Sequence, residues 1–118
     1  MASSDSRKEC LFCRIVDGEI PADVVISNEV AVAIHDVAPI APTHVLVIPR
    51  EHYANAAELA AQAPILLAQM IELAEAVREL DNLDAYRLVF NTGALAGQSV
   101  FHVHLHVIGG RPLKWPPG

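Results

Sequence analysis

Apolar positions along this chain occur as short β-branched runs at both ends and one long helical stretch in the middle. Leu11 to Val16 is a short apolar patch the length of a helical turn, ended by the turn signal Asp17-Gly18 and by Pro21. Val24 to Ile26 and Val30 to Ile34 flank Ser27-Asn28-Glu29 and read as a hairpin of two strands. Pro39 and Pro42 impose a loop, and His44 to Ile48, stopped by Pro49, makes a third strand. From Ala54 to Leu80 the chain is rich in Ala, Leu, Glu and Gln, and Leu66, Met70, Leu73, Val77 and Leu80 recur at the spacings of one helix face. Pro64 suits the first turn of that helix, where a missing N–H costs little, so Ala54 to Ala61 is expected as a separate short helix. Tyr86 to Phe90 and Phe101 to Ile108 are the last two strands, joined by a loop of mostly small residues from Asn91 to Ser99. This order predicts an α+β domain with a mainly antiparallel five-stranded sheet, one long helix and one or two short ones.

A chain of 118 residues fits a single compact domain, expected over 10–118, with the polar stretch Met1 to Glu9 as a disordered lead-in that lacks the apolar segment of a signal peptide. The hydrophobic fraction is 53% and the aromatic fraction 5%, so the core is aliphatic and some apolar surface is left for a second copy of the chain. A homodimer is the expectation. The net charge of −6 argues against a nucleic-acid polymer as partner, because displacing phosphate counterions needs a clustered basic surface. No apolar run approaches the ~20 residues that span a bilayer, so no membrane partner is expected and residence in the cytoplasm is the default.

The chemistry concentrates in His102-Val103-His104-Leu105-His106-Val107. On a strand the three histidines share one face, and Val103, Leu105 and Val107 the other. Three close imidazoles cannot all be protonated, and a neutral imidazole is a nucleophile able to form a phosphohistidine-type intermediate. Gly97 permits close backbone approach to a phosphate, Gln98 and Ser99 offer donors, and Asn91 adds an amide at the far end of the loop. Two other readings of the histidines stay open: direct metal ligation by His102, His104 and His106, and a nucleotide-binding module without turnover. The pair Cys10/Cys13 reads as free buried thiols or as metal ligands in a reducing compartment.

The segments Cys10-Leu11-Phe12-Cys13, Glu19-Ile20-Pro21-Ala22, His35-Asp36, Ala41 to Pro49, Gly97 to His106, Gly109-Gly110-Arg111 and Trp115-Pro116-Pro117-Gly118 together resemble the histidine-triad (HIT) family, and the last two resemble its Hint branch of purine nucleoside phosphoramidases. The resemblance implies a HIT-like fold and hydrolysis of the P–N bond of a purine nucleoside 5′-phosphoramidate, with dinucleoside polyphosphate hydrolysis as the near rival. It makes His104 the nucleophile, supported by His102 and His44, with His106 and Ser99 facing the phosphate and leaving group. Asp36 would take the ribose hydroxyls, although a loop-capping Asp has the same signature. Phe12, Ile15, Ile20, Ile34, His35 and Val37 would line the base pocket, a role that ordinary core packing also fits. No cofactor is required for this catalysis. The resemblance also implies a structural zinc set of Cys10, Cys13, His52 and His102, set against free cysteines and a surface His52.

Overall fold

In a computed structural model that describes residues 4–117, five antiparallel strands form one sheet: β1 (Val24–Ser27), β2 (Ala31–His35), β3 (Thr43–Pro49), β4 (Tyr86–Val89) and β5 (Leu105–Gly109), in the order β1-β2-β3-β5-β4. The helices are α1 (Ser4–Glu9), α2 (Leu11–Val16), α3 (Ala56–Gln62) and α4 (Pro64–Leu80). The α+β class and the antiparallel sheet expected from the sequence are what the structure shows.

Pleating divides the sheet's residues between two cores. Ala31, Ala33, Val45, Val47, Leu105 and Val107 point to the face covered by α3 and α4, where Leu59, Leu66, Met70, Leu73 and Val77 meet them. Val32, Ile34, Leu46 and Ile48 point the other way, against Phe12 and Val16 of α2. Strand β3 is buried along its entire length, consistent with its central place and near-continuous apolar run.

Local chemistry sets the helix ends. Asn55 caps α3 by accepting the Glu58 N–H at 2.9 Å, and the Glu58 carboxylate returns to the Ala54 N–H, a reciprocal cap that starts the helix after residues 54 and 55. Pro64 opens α4 as expected. Among the described residues no helix is long and apolar enough to cross a membrane.

Two expectations differ from the structure. Ser4–Glu9, expected within a disordered lead-in, is helical, and Arg7 is tied to Asp17 at 2.7 Å; Met1 to Ser3 lie outside the described residues. The last strand, expected from Phe101, joins the ladder only at Leu105. The preceding residues are held from elsewhere, the Val103 N–H donating to the Tyr53 carbonyl at 2.7 Å. Inward and outward alternation nevertheless persists through 102–108, with Val103 in the helix-side core. His102 and His104 thus share the α2 side of the sheet with His106, as the alternation implied, but stand ahead of the strand.

Candidate functional site

The register of β3 against β5 places Leu46 opposite His106 and His44 opposite Ile108, so His44 and His106 are diagonal neighbours on the α2 side of the sheet. Their rings meet with His44 Nε2 at 2.9 Å from His106 Nδ1. The backbone N–H of Ile40 donates to His44 Nδ1 at 3.2 Å, so a neutral His44 carries its proton on Nε2 and donates it to His106. That leaves the His106 proton on Nε2. His104 is fixed from the other direction, because its Nδ1–H donates to the carbonyl of His102 at 2.8 Å and its lone pair is therefore on Nε2. Among the described residues no buried side-chain nitrogen or oxygen lacks a partner, and neither His104 Nε2 nor His106 Nε2 bonds to the chain. Neither nitrogen is therefore sealed off: the His104 ring lines one cavity, and the His106 ring stands between that cavity and a second one.

Burial depresses the basicity of these rings. His106 is pushed down to about 4 by burial and by the neighbouring His104 and His44. His104 is lowered chiefly by burial, against its bond to the His102 carbonyl and the charge of Asp36. Both imidazoles are neutral near pH 7, the state in which one can offer a lone pair and the other a proton.

The cavity holds about 310 Å³ between α2, the end of β2 and the segment from Gly97 to Val100. Of the residues singled out from the sequence, Phe12, Ile15, Ile34, His35, Asp36, Val37, Gly97, Ser99, His104 and His106 line it. Phe12 presents its edge to the His104 ring, with centroids 4.9 Å apart. Asp36 divides its carboxylate: Oδ1 accepts the Ala38 N–H at 2.8 Å, the loop-capping role, and Oδ2 lies 3.4 Å from His44 Nε2. Leu11, Leu46 and Val100 also line the cavity. Leu11 was legible as the residue four before Ile15, and Leu46 as the residue two after His44 on the same strand face.

Two expected residues do not meet the cavity, and one stands at its border. Ile20 is not part of the lining. Asn91 has its amide beside Gly97, 3.6 Å from where a Cβ on that glycine would sit, and also lines a second cavity of about 570 Å³ beyond His44 and His106, walled by Arg87, Arg111 and the C-terminal segment through Pro117. Gln98 is buried, and its amide is spent within the chain: Oε1 accepts the Gly93 N–H at 2.9 Å, and Nε2 donates to the carbonyls of Ala54 at 2.7 Å and Val100 at 3.1 Å. It pins the loop on which Gly97 and Ser99 sit and has no donor left for a phosphate. Trp115 is 83% exposed in the single chain, while the Lys114 carbonyl accepts from Arg87 at 2.8 Å.

A second cluster lies behind the His104 ring. Nδ1 of His102 is 3.4 Å from Sγ of Cys10, 3.4 Å from Sγ of Cys13 and 3.1 Å from Nδ1 of His52, and Cys13 Sγ is 3.4 Å from His52 Nδ1. Donors around a tetrahedral zinc, at bond lengths of about 2.0–2.3 Å, stand roughly 3.3–3.8 Å apart, so this quartet fits such an ion closely. The His102 Nε2–H donates to the Pro49 carbonyl at 2.8 Å, which turns the Nδ1 lone pair inward. Both cysteines are free, and as a metal-free thiol Cys13 is pushed up to about 12 by burial and by Cys10.

Comparison with known proteins places this geometry. A family model described as the HIT domain matches residues 17–113. An uncharacterised HIT-like protein of Synechococcus elongatus is 43% identical over 112 residues, covering 94% of this chain and 98% of that protein. The crystal structure of a HIT family hydrolase from Legionella pneumophila superposes with a TM-score of 0.89 at 44% identity, covering 93% of this chain and all of that one. A zinc-bound histidine triad family protein from Mycobacterium smegmatis matches with a TM-score of 0.76 at 34% identity, over 89% of this chain and 77% of its own.

The buried amide of Gln98 gives a direct test of the loop. Gln98→Ala strands the partners of three hydrogen bonds and should cost about 1–3 kcal/mol. Gln98→Glu should cost more, since it turns a carboxylate toward two carbonyls. Urea unfolding at fixed protein concentration reads both; a Glu variant as stable as the parent would show that the amide is not the pin.

Proposed function

The chain belongs to the HIT domain family, and from that premise we propose that it is a nucleotide-binding hydrolase that cleaves the P–N bond of purine nucleoside 5′-phosphoramidates through a nucleotidyl intermediate on His104. The observation that carries this reading is the tautomer chain: His104 Nδ1–H is tied to the His102 carbonyl, which leaves Nε2 as a lone pair on a ring that lines the cavity, beside a His106 ring that lines the same cavity and keeps its proton on Nε2. Nε2 of His104 attacks phosphorus and the bond to the leaving nitrogen breaks. The departing amine must gain a proton, for which His106 is the nearest placed donor, replenished through His44. Water then attacks the phosphorus, releases the nucleoside monophosphate and returns His104 to its neutral form. Asp36 takes the ribose hydroxyls with the carboxylate capacity that Ala38 leaves, and the apolar walls Phe12, Ile15 and Ile34 hold the base.

Cys10, Cys13, His52 and His102 would hold a structural zinc that cross-links α2 to the histidine segment; the donor set and the zinc-bound relative support this. The second cavity favours an additional reading. Its walls include Arg87, Arg111 and Lys114, and no carboxylate among the described residues lines it, so a larger anionic leaving group, as in a dinucleoside polyphosphate, has room there. A homodimer is supported by the free outer edge of β4 and by Ile65, Ile71 and Leu80, which α4 leaves exposed.

Three experiments test the reading. Rapid quench with labelled adenosine 5′-phosphoramidate, with diadenosine polyphosphate run in parallel, should place label on His104, and His104→Ala should lose at least about 10³-fold in kcat/KM while keeping nucleoside monophosphate affinity; undiminished turnover would remove the nucleophile. Asp36→Asn should raise KM for ribo-substrates more than for 2′-deoxyribo-substrates, whereas equal losses would make Asp36 a loop cap alone. Sedimentation at micromolar concentration should give a dimer, and a fully active monomer would refute that assembly.

A further inference from the structure

His102 joins two parts of the molecule through three of its own atoms. Its Nδ1 faces the sulfurs of Cys10 and Cys13, its Nε2–H is fixed by Pro49, and its carbonyl accepts the Nδ1–H that sets the tautomer of His104. Among the described residues, that carbonyl is the sole partner of His104 Nδ1. Helix α2 tightens the connection, because Phe12, between the two cysteines, packs edge-on against both rings, at 6.0 Å from His102 and 4.9 Å from His104. A change at the sulfurs therefore reaches the nucleophile through one residue and one ring.

The sulfurs are not equally enclosed. Cys13 is fully buried, whereas Cys10 is partly exposed and lines, with His52, Ser99 and Phe101, a separate surface cavity of about 370 Å³. The two sulfurs lie within 4.8 Å of one another, on residues three apart, and the Cys13 N–H points at Cys10 Sγ at 3.4 Å. Little rearrangement brings them to the roughly 2.05 Å of a disulfide.

We propose that Cys10 and Cys13 are a thiol–disulfide exchange site, reached by small disulfides through the cavity at Cys10, and that closing the Cys10–Cys13 bond withdraws both sulfurs from His102 and mispositions His104. The Cys10 thiolate attacks one sulfur of the small disulfide, forming a mixed disulfide and expelling one thiolate. The Cys13 thiolate then attacks Cys10 Sγ and expels the second. Two electrons pass from the cysteine pair to the small disulfide, which leaves as two thiolates; these take up the protons the cysteines released on ionising or, where zinc held the cysteines as thiolates, protons from solvent. A zinc ion held by the quartet departs without change of oxidation state. His52 and His102 are left with Nδ1 atoms 3.1 Å apart and no thiolate facing them, so a neutral His52 must carry its proton on Nδ1 and donate it to His102, a different arrangement from the one in which both face the sulfurs. The His102 ring is buried and tied to the Pro49 carbonyl, so its rearrangement strains the main chain whose carbonyl holds His104.

This inference rests on His104 as nucleophile only for its consequence in turnover. The test treats the purified full chain with glutathione disulfide and reads four quantities: peptide mass, zinc released to a chromogenic chelator, ring-nitrogen NMR shifts of His104, and the rate of His104 labelling by adenosine 5′-phosphoramidate. The expected result is a mapped Cys10–Cys13 disulfide, release of bound zinc, displaced His104 resonances and labelling slowed by about tenfold or more, with nucleoside monophosphate affinity changed less than about twofold. Dithiothreitol with added zinc should restore all four. Cys13→Ser should stop the chemistry at the Cys10 mixed disulfide. Thiols that stay unmodified, a terminal mixed disulfide in the parent, or a closed disulfide with unmoved His104 resonances would each overturn the proposal. If untreated protein never labels at His104, the functional reading fails, and the disulfide, the zinc and the resonances still decide this one.

Discussion

The pairing of β3 with β5 is the constraint on which the site depends. Both strands lie inside the sheet, β3 buried from Thr43 to Pro49, and a slip of β5 by one residue would turn Leu105 and Val107 out of the helix-side core, as a slip of β3 would turn out Val45 and Val47. Such a slip is excluded by the loss of that apolar burial, so the alternating residues on the opposite face are fixed equally firmly. His44, Leu46 and His106 hold their positions because their neighbours in sequence are core. The geometry of the histidines is a by-product of aliphatic packing on the reverse side of the sheet.

From that arrangement the protonation pattern follows, with Asp36 as a charged neighbour 3.4 Å from His44 Nε2. Each ring has one nitrogen claimed by a fixed group: His44 by the Ile40 N–H, His104 by the His102 carbonyl, His102 by the Pro49 carbonyl. Burial holds His102, His104 and His106 below the ordinary histidine range, so the tautomers are set by hydrogen bonds between neutral groups. A lone pair on His104 and an N–H on His106 consequently stand on adjacent rings that line one cavity, an arrangement that in water would be averaged away by proton exchange.

The same segment carries two distinct duties in adjacent residues. His102 turns toward the thiols behind the cavity, and His104 and His106 toward the cavity itself. Departure from the ladder before Leu105 allows this, because residues 102–104 answer to Tyr53, Pro49 and α2 instead of to a neighbouring strand. Gln98 serves in a similar way, closing the loop from Gly93 so that Gly97 and Ser99 stand at the cavity rim.

By itself the sequence determined the elements and their sides. The apolar run at 45–48, the alternation in 103–107, the helical spacing from Leu66 to Leu80 and the punctuation by Pro64 and the Asp17-Gly18 turn are local signals, written in residue type and resolved within a few positions. Period-two alternation likewise assigned the three histidines to one face. Tertiary structure alone decided where each ring ends up and what it bonds. Gln98 was chemically eligible to meet a phosphate, yet carbonyls 44 residues before and two after it claimed the amide. Asn91 fell to the second cavity, and Ile20 outside both, because the path of a loop depends on the elements it spans. The meeting of Cys10 and Cys13 with His52 and His102 joins segments up to 92 residues apart, and no local pattern fixes the distance between them. Local sequence encodes periodicity and turn chemistry, whereas partners distant along the chain are chosen by the packing of the finished core.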